Sequence, residues 1–377
     1  MKFLLIGVLL VLSPSWVLAA DDMMEKFLHA KRAYLESLRV TADSYLDEVH
    51  KNASAEIRAR VPRQQVRINI REGMDFKCHA EGFITIGYVI HQSKTIVVCE
   101  EDVATASDYQ IGFMLIMGSL MQENWALFEK QPIDAPLPEY LNRQMKDRLL
   151  LLAKYLTDAN RRVKDQRFGT KRYGLQACRA WEAVYRLVTK PEALNACTRN
   201  DLPRSESLEA ARWSEEILRF SIGRSQEKML GAKPAQDALR PIDPIEAETA
   251  MNQMRSQVVD RMLYYAVAHE FGHLATGAVE EAQLSEIERE RIADRFAASA
   301  INEFQARAVA LPMLAHTLEV LWSSSKAPAI SKGRAHQLGV VVFCERGLHL
   351  RSSKTTPMEE NFLRMMSDEH CKEKSVQ

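Results

Sequence analysis

The feature that most constrains this chain is the segment between Asp243 and Gly277, which carries the start, length and stop of one long helix. Asp243 can accept the free amides of a first turn, Pro244 suits the first helical position, and Glu246 stands where a capping-box partner reaches back. Nothing breaks the pattern before Gly277, so the helix is predicted to run some 30 residues, roughly 50 Å at 1.5 Å per residue. Its last turns read "YAVAHEFGHLATG". His269 and His273, four residues apart, share one face with Cβ atoms about 6 Å apart, so both imidazoles can reach one ion. Glu270 is rotated by one residue, cannot easily share that position, and is placed to reach a water on the ion's open side.

A catalytic zinc, Zn2+, needs a third protein ligand and one position left for water. A second helix start lies at "LSEIE", where Ser285 and Glu288 form another capping box, and Ile292, Phe296 and Phe304 mark an apolar face beyond it. In "EIERERIADRFAAS", Glu290 and Asp294 are again four apart on one face. Glu290 can bind the metal while Asp294 accepts the N–H of a ligand imidazole and holds its tautomer. Glu281, Glu286 and Glu288 stand nearby as competing carboxylates. The small residues Ala293, Ala297 and Ala298 favour Glu290, because they permit close helix packing that a solvated face does not require. The short loop 278–284 then folds the second helix back on the first.

HEFGH followed by ERIAD resembles the gluzincin pattern of HExxH zinc metallopeptidases, HExxH followed by ExxAD, as in Ste24-like and ImmA/IrrE-like enzymes. The resemblance implies a zincin-like fold with His269, His273 and Glu290 as ligands, Glu270 as general base and Asp294 behind a ligand imidazole. The chain is also similar to a bacterial metallopeptidase family with a cysteine-bounded hairpin before the zinc helix and two more cysteines near the C-terminus, as at Cys78, Cys99, Cys344 and Cys371. It departs from that pattern by placing a long helical stretch between hairpin and zinc helix. In related zinc peptidases an extended substrate pairs with an edge strand, and "TIVVC" is the expected strand. Tyr264, His316, Arg334 and His336 are the candidate oxyanion donors.

The N-terminus has the anatomy of a secretory signal peptide: Lys2, an apolar run from Phe3 to Leu12, a Ser-Pro-Ser break, and Val17 and Ala19 suited to a cut after Ala19, with Ala20 a near alternative. The apolar run is well short of the roughly 20 residues that span a bilayer. No cysteine follows it to carry a lipid, so the mature chain is expected to be periplasmic or secreted, without a transmembrane anchor. In an oxidising compartment the six cysteines read as disulfides, and order alone does not choose among their pairings. The local couples are expected: Cys78 with Cys99, Cys178 with Cys197, Cys344 with Cys371. Fifty basic side chains balance fifty acidic ones, so no global field draws the chain to nucleic acid.

Elsewhere the pattern predicts one helix from residue 23 to about 60, stopped by Pro62, then a small antiparallel sheet from "VRINI", "FITIGYVI" and "TIVVC", rich in β-branched residues. The fold class is therefore α+β, predominantly α-helical, with a small antiparallel sheet and an active-site helix pair. Four regions follow: a signal peptide (1–20), an N-terminal helix and disulfide-linked β region (21–100), a helical insertion (101–240), and zinc-binding helices with a C-terminal helical region (241–377). Three functions fit: hydrolysis of a peptide or protein substrate; a zinc-containing binding or assembly factor of the cell envelope that does not turn over and meets a protein partner through the helical insertion; or a zinc-independent helical structural protein, which requires the HExxH string to be accidental.

Overall fold

The structure, a computed structural model, describes residues 14–71, 78, 84–131, 137–166, 179–189, 203–230 and 241–302, together with 317, 320 and 371. It is mostly helical with one small sheet, as the sequence predicts. Helix α1 (Pro14–Asn52) buries Ala42, Leu46 and Val49, spaced at helical intervals, and is followed by the short α2 (Ala55–Arg60). The single helix expected to reach residue 60 is thus broken at Ser54. Two side chains end it: Ser54 Oγ accepts from Ile57 N at 3.2 Å to start α2, and Arg58 donates to the carbonyls of Lys51 (3.0 Å) and Ala53 (2.5 Å), which α1 leaves open.

Three strands follow, β1 (Arg67–Arg71), β2 (Gly87–Ile90) and β3 (Thr95–Cys99), in the spatial order β1-β3-β2. β2 and β3 form an antiparallel hairpin, but β1 runs parallel to β3, so the sheet is mixed and not antiparallel as expected. β3, the "TIVVC" segment, is the central strand and not an edge. Its Ile96, Val97, Val98 and Cys99 are all buried. A continuous apolar run, without polar alternation, is what a strand covered on both faces requires. Cys78 and Cys99 form the expected disulfide, tying the chain ahead of β2 to the end of β3. Cys371 is also disulfide-bonded; Cys178, Cys197 and Cys344 lie outside the described residues.

From Cys99 the chain passes directly into α3 (Glu100–Glu123), buried on nearly every side. α4 (Trp125–Lys130), α5 (Glu139–Gln166), α6 (Ala180–Thr189) and α7 (Arg204–Leu230) complete the 101–240 segment, and α5, α6 and α7 pack around α3. Two acidic groups inside this bundle are paired. Asp102 accepts from Thr85 N (2.8 Å) and Asn160 Nδ2 (2.7 Å), and Asp108 holds Arg255 of the site helix through two contacts of 2.7 and 3.2 Å. One apolar core takes Leu46 of α1, Ile96 of β3, Leu115 of α3, Leu152 of α5, Trp181 of α6 and Ile217 of α7. Phe271 and Ala297 of the site helices belong to the same core.

The site rests on α8 (Pro244–Thr276), α9 (Ala278–Glu281) and α10 (Glu286–Asn302). Asp243 caps α8 by accepting from Ile245 N (2.8 Å) and Glu246 N (3.1 Å), and Gly277, at φ 90°, ends it. Ser285 and Glu288 make the reciprocal capping box at the start of α10. α10 folds back on α8 at very close range. A side chain at Gly272 would stand 2.9 Å from Ala293 Cα, so glycine opposite alanine sets the approach of the two helices.

Candidate metal centre

Close contact between α8 and α10 brings Glu290 to the face of α8 that carries the two histidines. Nε2 of His269 lies 3.2 Å from Nε2 of His273 and 3.1 Å from Oε2 of Glu290, and the third side of this triangle, His273 Nε2 to Glu290 Oε2, is 3.6 Å. An ion bound tetrahedrally at about 2.0 to 2.1 Å spaces its ligands about 3.3 to 3.4 Å apart. The three donor atoms bracket that spacing, so His269, His273 and Glu290 form a group able to hold a metal ion.

Behind each imidazole stands a carboxylate. His269 Nδ1 donates to Asp294 Oδ1 at 2.8 Å, as the sequence predicts, and Tyr265 donates its hydroxyl to the same oxygen at 2.7 Å. His273 Nδ1 donates to Glu281 Oε1 at 2.6 Å, and the other oxygen of Glu281 accepts from His91 Nε2 at 2.8 Å. With both Nδ1 atoms occupied as donors, both Nε2 lone pairs point at the shared position. Of the carboxylates near Glu290 in sequence, Glu286 and Glu288 are exposed and Glu288 serves the helix cap, whereas Glu281 is buried against His273.

Glu270, also buried, faces the sheet. A Cβ at Gly87 of β2 would lie 3.2 Å from its Cγ and 3.3 Å from its Oε1, so the carboxyl group rests against a strand position without a side chain. The chain matches no family model, no curated protein and no solved structure.

Four carboxylates, Glu270, Glu281, Glu290 and Asp294, surround two buried imidazoles, a charge arrangement suited to a cation. Their negative charge also acts on the imidazole protons. Burial by itself would lower the His273 pKa, but hydrogen bonding to Glu281 and Glu290 and the nearby charge of Glu270 push it up to about 10. Burial likewise works against the charged form of His269, and Asp294 with Glu290 and Glu270 overcomes it to raise that pKa. Burial would raise Glu281, but His273 and His91 hold it below the ordinary carboxylate range.

Among the oxyanion candidates, Tyr264 belongs to the core: it is fully buried, packs edge-on to Tyr45 at 5.1 Å between ring centres, and donates to Ala300 O at 3.4 Å. His316, Arg334 and His336 lie outside the described residues. The sequence reading missed Tyr265, although it stands one turn before His269 on the same face and was legible by spacing. It also missed the pairing of Glu281 with His273, and His91 and Gly87 altogether. No local pattern marks these, because each meets the site from another segment.

Proposed function

We propose that the chain is an exported zinc metallopeptidase. The observation that carries this reading is the juxtaposition of a group able to hold a metal ion with a fourth acid, Glu270, on the helix of the two histidines but turned toward β2, an edge strand among the described residues. Two imidazoles and one carboxylate suit zinc, and three protein ligands leave one position for water or substrate, as catalytic zinc sites require. The resemblance of HEFGH and ERIAD to the gluzincin pattern supports the same assignment.

A zinc ion held by His269, His273 and Glu290 would supply positive charge able to lower the pKa of water to about 7 and to polarise a carbonyl. Glu270 would take a proton from an attacking water and give it to the amide nitrogen as the C–N bond breaks. His269 and His273 would be neutral as ligands because a bound ion takes the place of their Nε2 protons, while Asp294 and Glu281 hold the Nδ1–H groups and with them the ring orientations. With β3 central, β2 replaces it as the strand against which an extended peptide would lie, since it borders Glu270. Export is supported by the leader-like N-terminus and by the Cys78–Cys99 disulfide. Among the described residues, no helix is long and apolar enough to cross a membrane.

The test is metal content beside peptide hydrolysis for the wild type and Glu270→Gln. The amide keeps the shape but cannot take a proton, so the variant should retain one zinc per chain and lose at least a hundredfold in turnover, the scale of general-base catalysis. Undiminished hydrolysis by Glu270→Gln would remove Glu270 as the base. Full cellular function in that variant, lost only in His273→Ala, would favour the zinc-containing binding factor.

A further inference from the structure

Asp294 and Glu281 play matching parts on opposite sides of the metal group. Each carboxylate accepts from the Nδ1 of one ligand imidazole, and each accepts from one further donor: Tyr265 for Asp294, His91 for Glu281. Tyr265 comes from α8 itself, whereas His91 comes from the turn of the β2–β3 hairpin. We propose that His91 is a positioning residue for the metal centre, fixing the Glu281 carboxylate and through it the orientation of His273.

Geometry supports the role. A carboxylate on a side chain as long as glutamate can swing about three torsions, and a single hydrogen bond to His273 leaves it free to rotate. Two donors, one on each oxygen, hold its plane. Glu281 is buried and lies in the four-residue α9, which Arg60 of α2 ties down from outside by donating to Glu280 of α9 (3.0 Å) and to the carbonyls of Ala275 (3.1 Å) and Thr276 (3.4 Å) at the end of α8. His91 is the second such anchor. Because β2 leads from Gly87, against Glu270, to the turn that holds His91, the same hairpin touches both the proposed base and the support of a ligand.

This inference rests on the metal-site reading but not on peptidase activity, and its test uses metal affinity. Zinc dissociation constants would be measured by chelator competition on the full chain, beside the ligand-field spectrum of the cobalt-substituted protein. The variants are His91→Leu, which removes the donor at similar volume, His91→Gln, whose amide nitrogen reaches the place of Nε2, and His273→Ala. His91→Leu should bind zinc about tenfold more weakly and shift the cobalt bands, at the mild end of the 10 to 100-fold effects of such supporting residues. His91→Gln should restore affinity to within about threefold of the wild type and restore the spectrum. Wild-type affinity in His91→Leu, or equal weakening in both His91 variants, would overturn the positioning role. Zinc binding unaffected in His273→Ala would instead overturn the metal-site reading itself.

Discussion

At the residue scale, the candidate metal group consists of pairs in which one side chain faces the shared position and another holds it. Asp294 is hydrogen-bonded to His269 and Tyr265 at once. Asp294→Ala should therefore leave the protein folded and lower zinc affinity or activity by about 10 to 100-fold, readable by chelator titration. The raised pKa of His273 gives a pH prediction for the metal-free state. Its folded value of about 10 lies above the ordinary histidine value of 6.5. The native state then holds a proton that the unfolded chain has lost, so this stabilisation is complete below pH 6.5 and disappears as pH rises toward 10. A zinc-loaded protein, whose imidazole would already be neutral, would lack that dependence. Thermal melts with and without chelator should therefore separate progressively as pH rises from about 6.5 to 9. A gap constant with pH would show that His273 does not exchange a proton for the metal.

At the element scale, the α8–α10 pair is the device that assembles the ligands. α8 contributes two of them and α10 the third, and they meet because Gly272 faces Ala293 with no room for a side chain. Gly272→Val should force the helices apart, costing about 1 to 3 kcal/mol as overpacking does, and should release zinc because Glu290 moves with α10. Thermal denaturation and metal analysis together check it. A destabilised variant that still carries a full zinc would mean the site tolerates the displacement. α8 is also held far from the metal, at Asp108–Arg255 and where Tyr45 of α1 donates to Asp260. The long helix is thus a rigid mount, and its buried C-terminal half lies in the middle of the core.

For the whole molecule, the hairpin, the insertion-region helices and the site helices share one core, so covalent restraint at one place stabilises the rest. The Cys78–Cys99 bond closes a loop over a sequence separation of 21. In the chain-entropy account, opening such a loop costs about 3 kcal/mol. Cys78→Ser with Cys99→Ser should lower the melting temperature by several degrees, and hydrogen exchange in β2 and β3 should rise more than in α5 or α7. Uniform change across the chain would show that the bond stabilises the fold globally and does not specifically hold the hairpin beside Glu270.

Local order fixed much of this protein. The α8 boundaries follow from Asp243, Pro244 and Gly277, the α10 start from Ser285 and Glu288, and the placement of His269 with His273 and of Glu290 with Asp294 from the helical period, because each depends on groups within a turn or two of each other. The Cys78–Cys99 couple was also legible, being close in the chain. Only the tertiary structure decided that β3 lies between β1 and β2, since its apolar run marks a covered strand but not which strands flank it or in which direction they run. It alone placed Gly87 against Glu270 and His91 against Glu281, which in turn meets His273. The contacts of Gly87 and His91 join the hairpin to α8 and α9 across most of the chain between them, and no periodicity encodes which distant side chain completes a hydrogen bond once the core has closed.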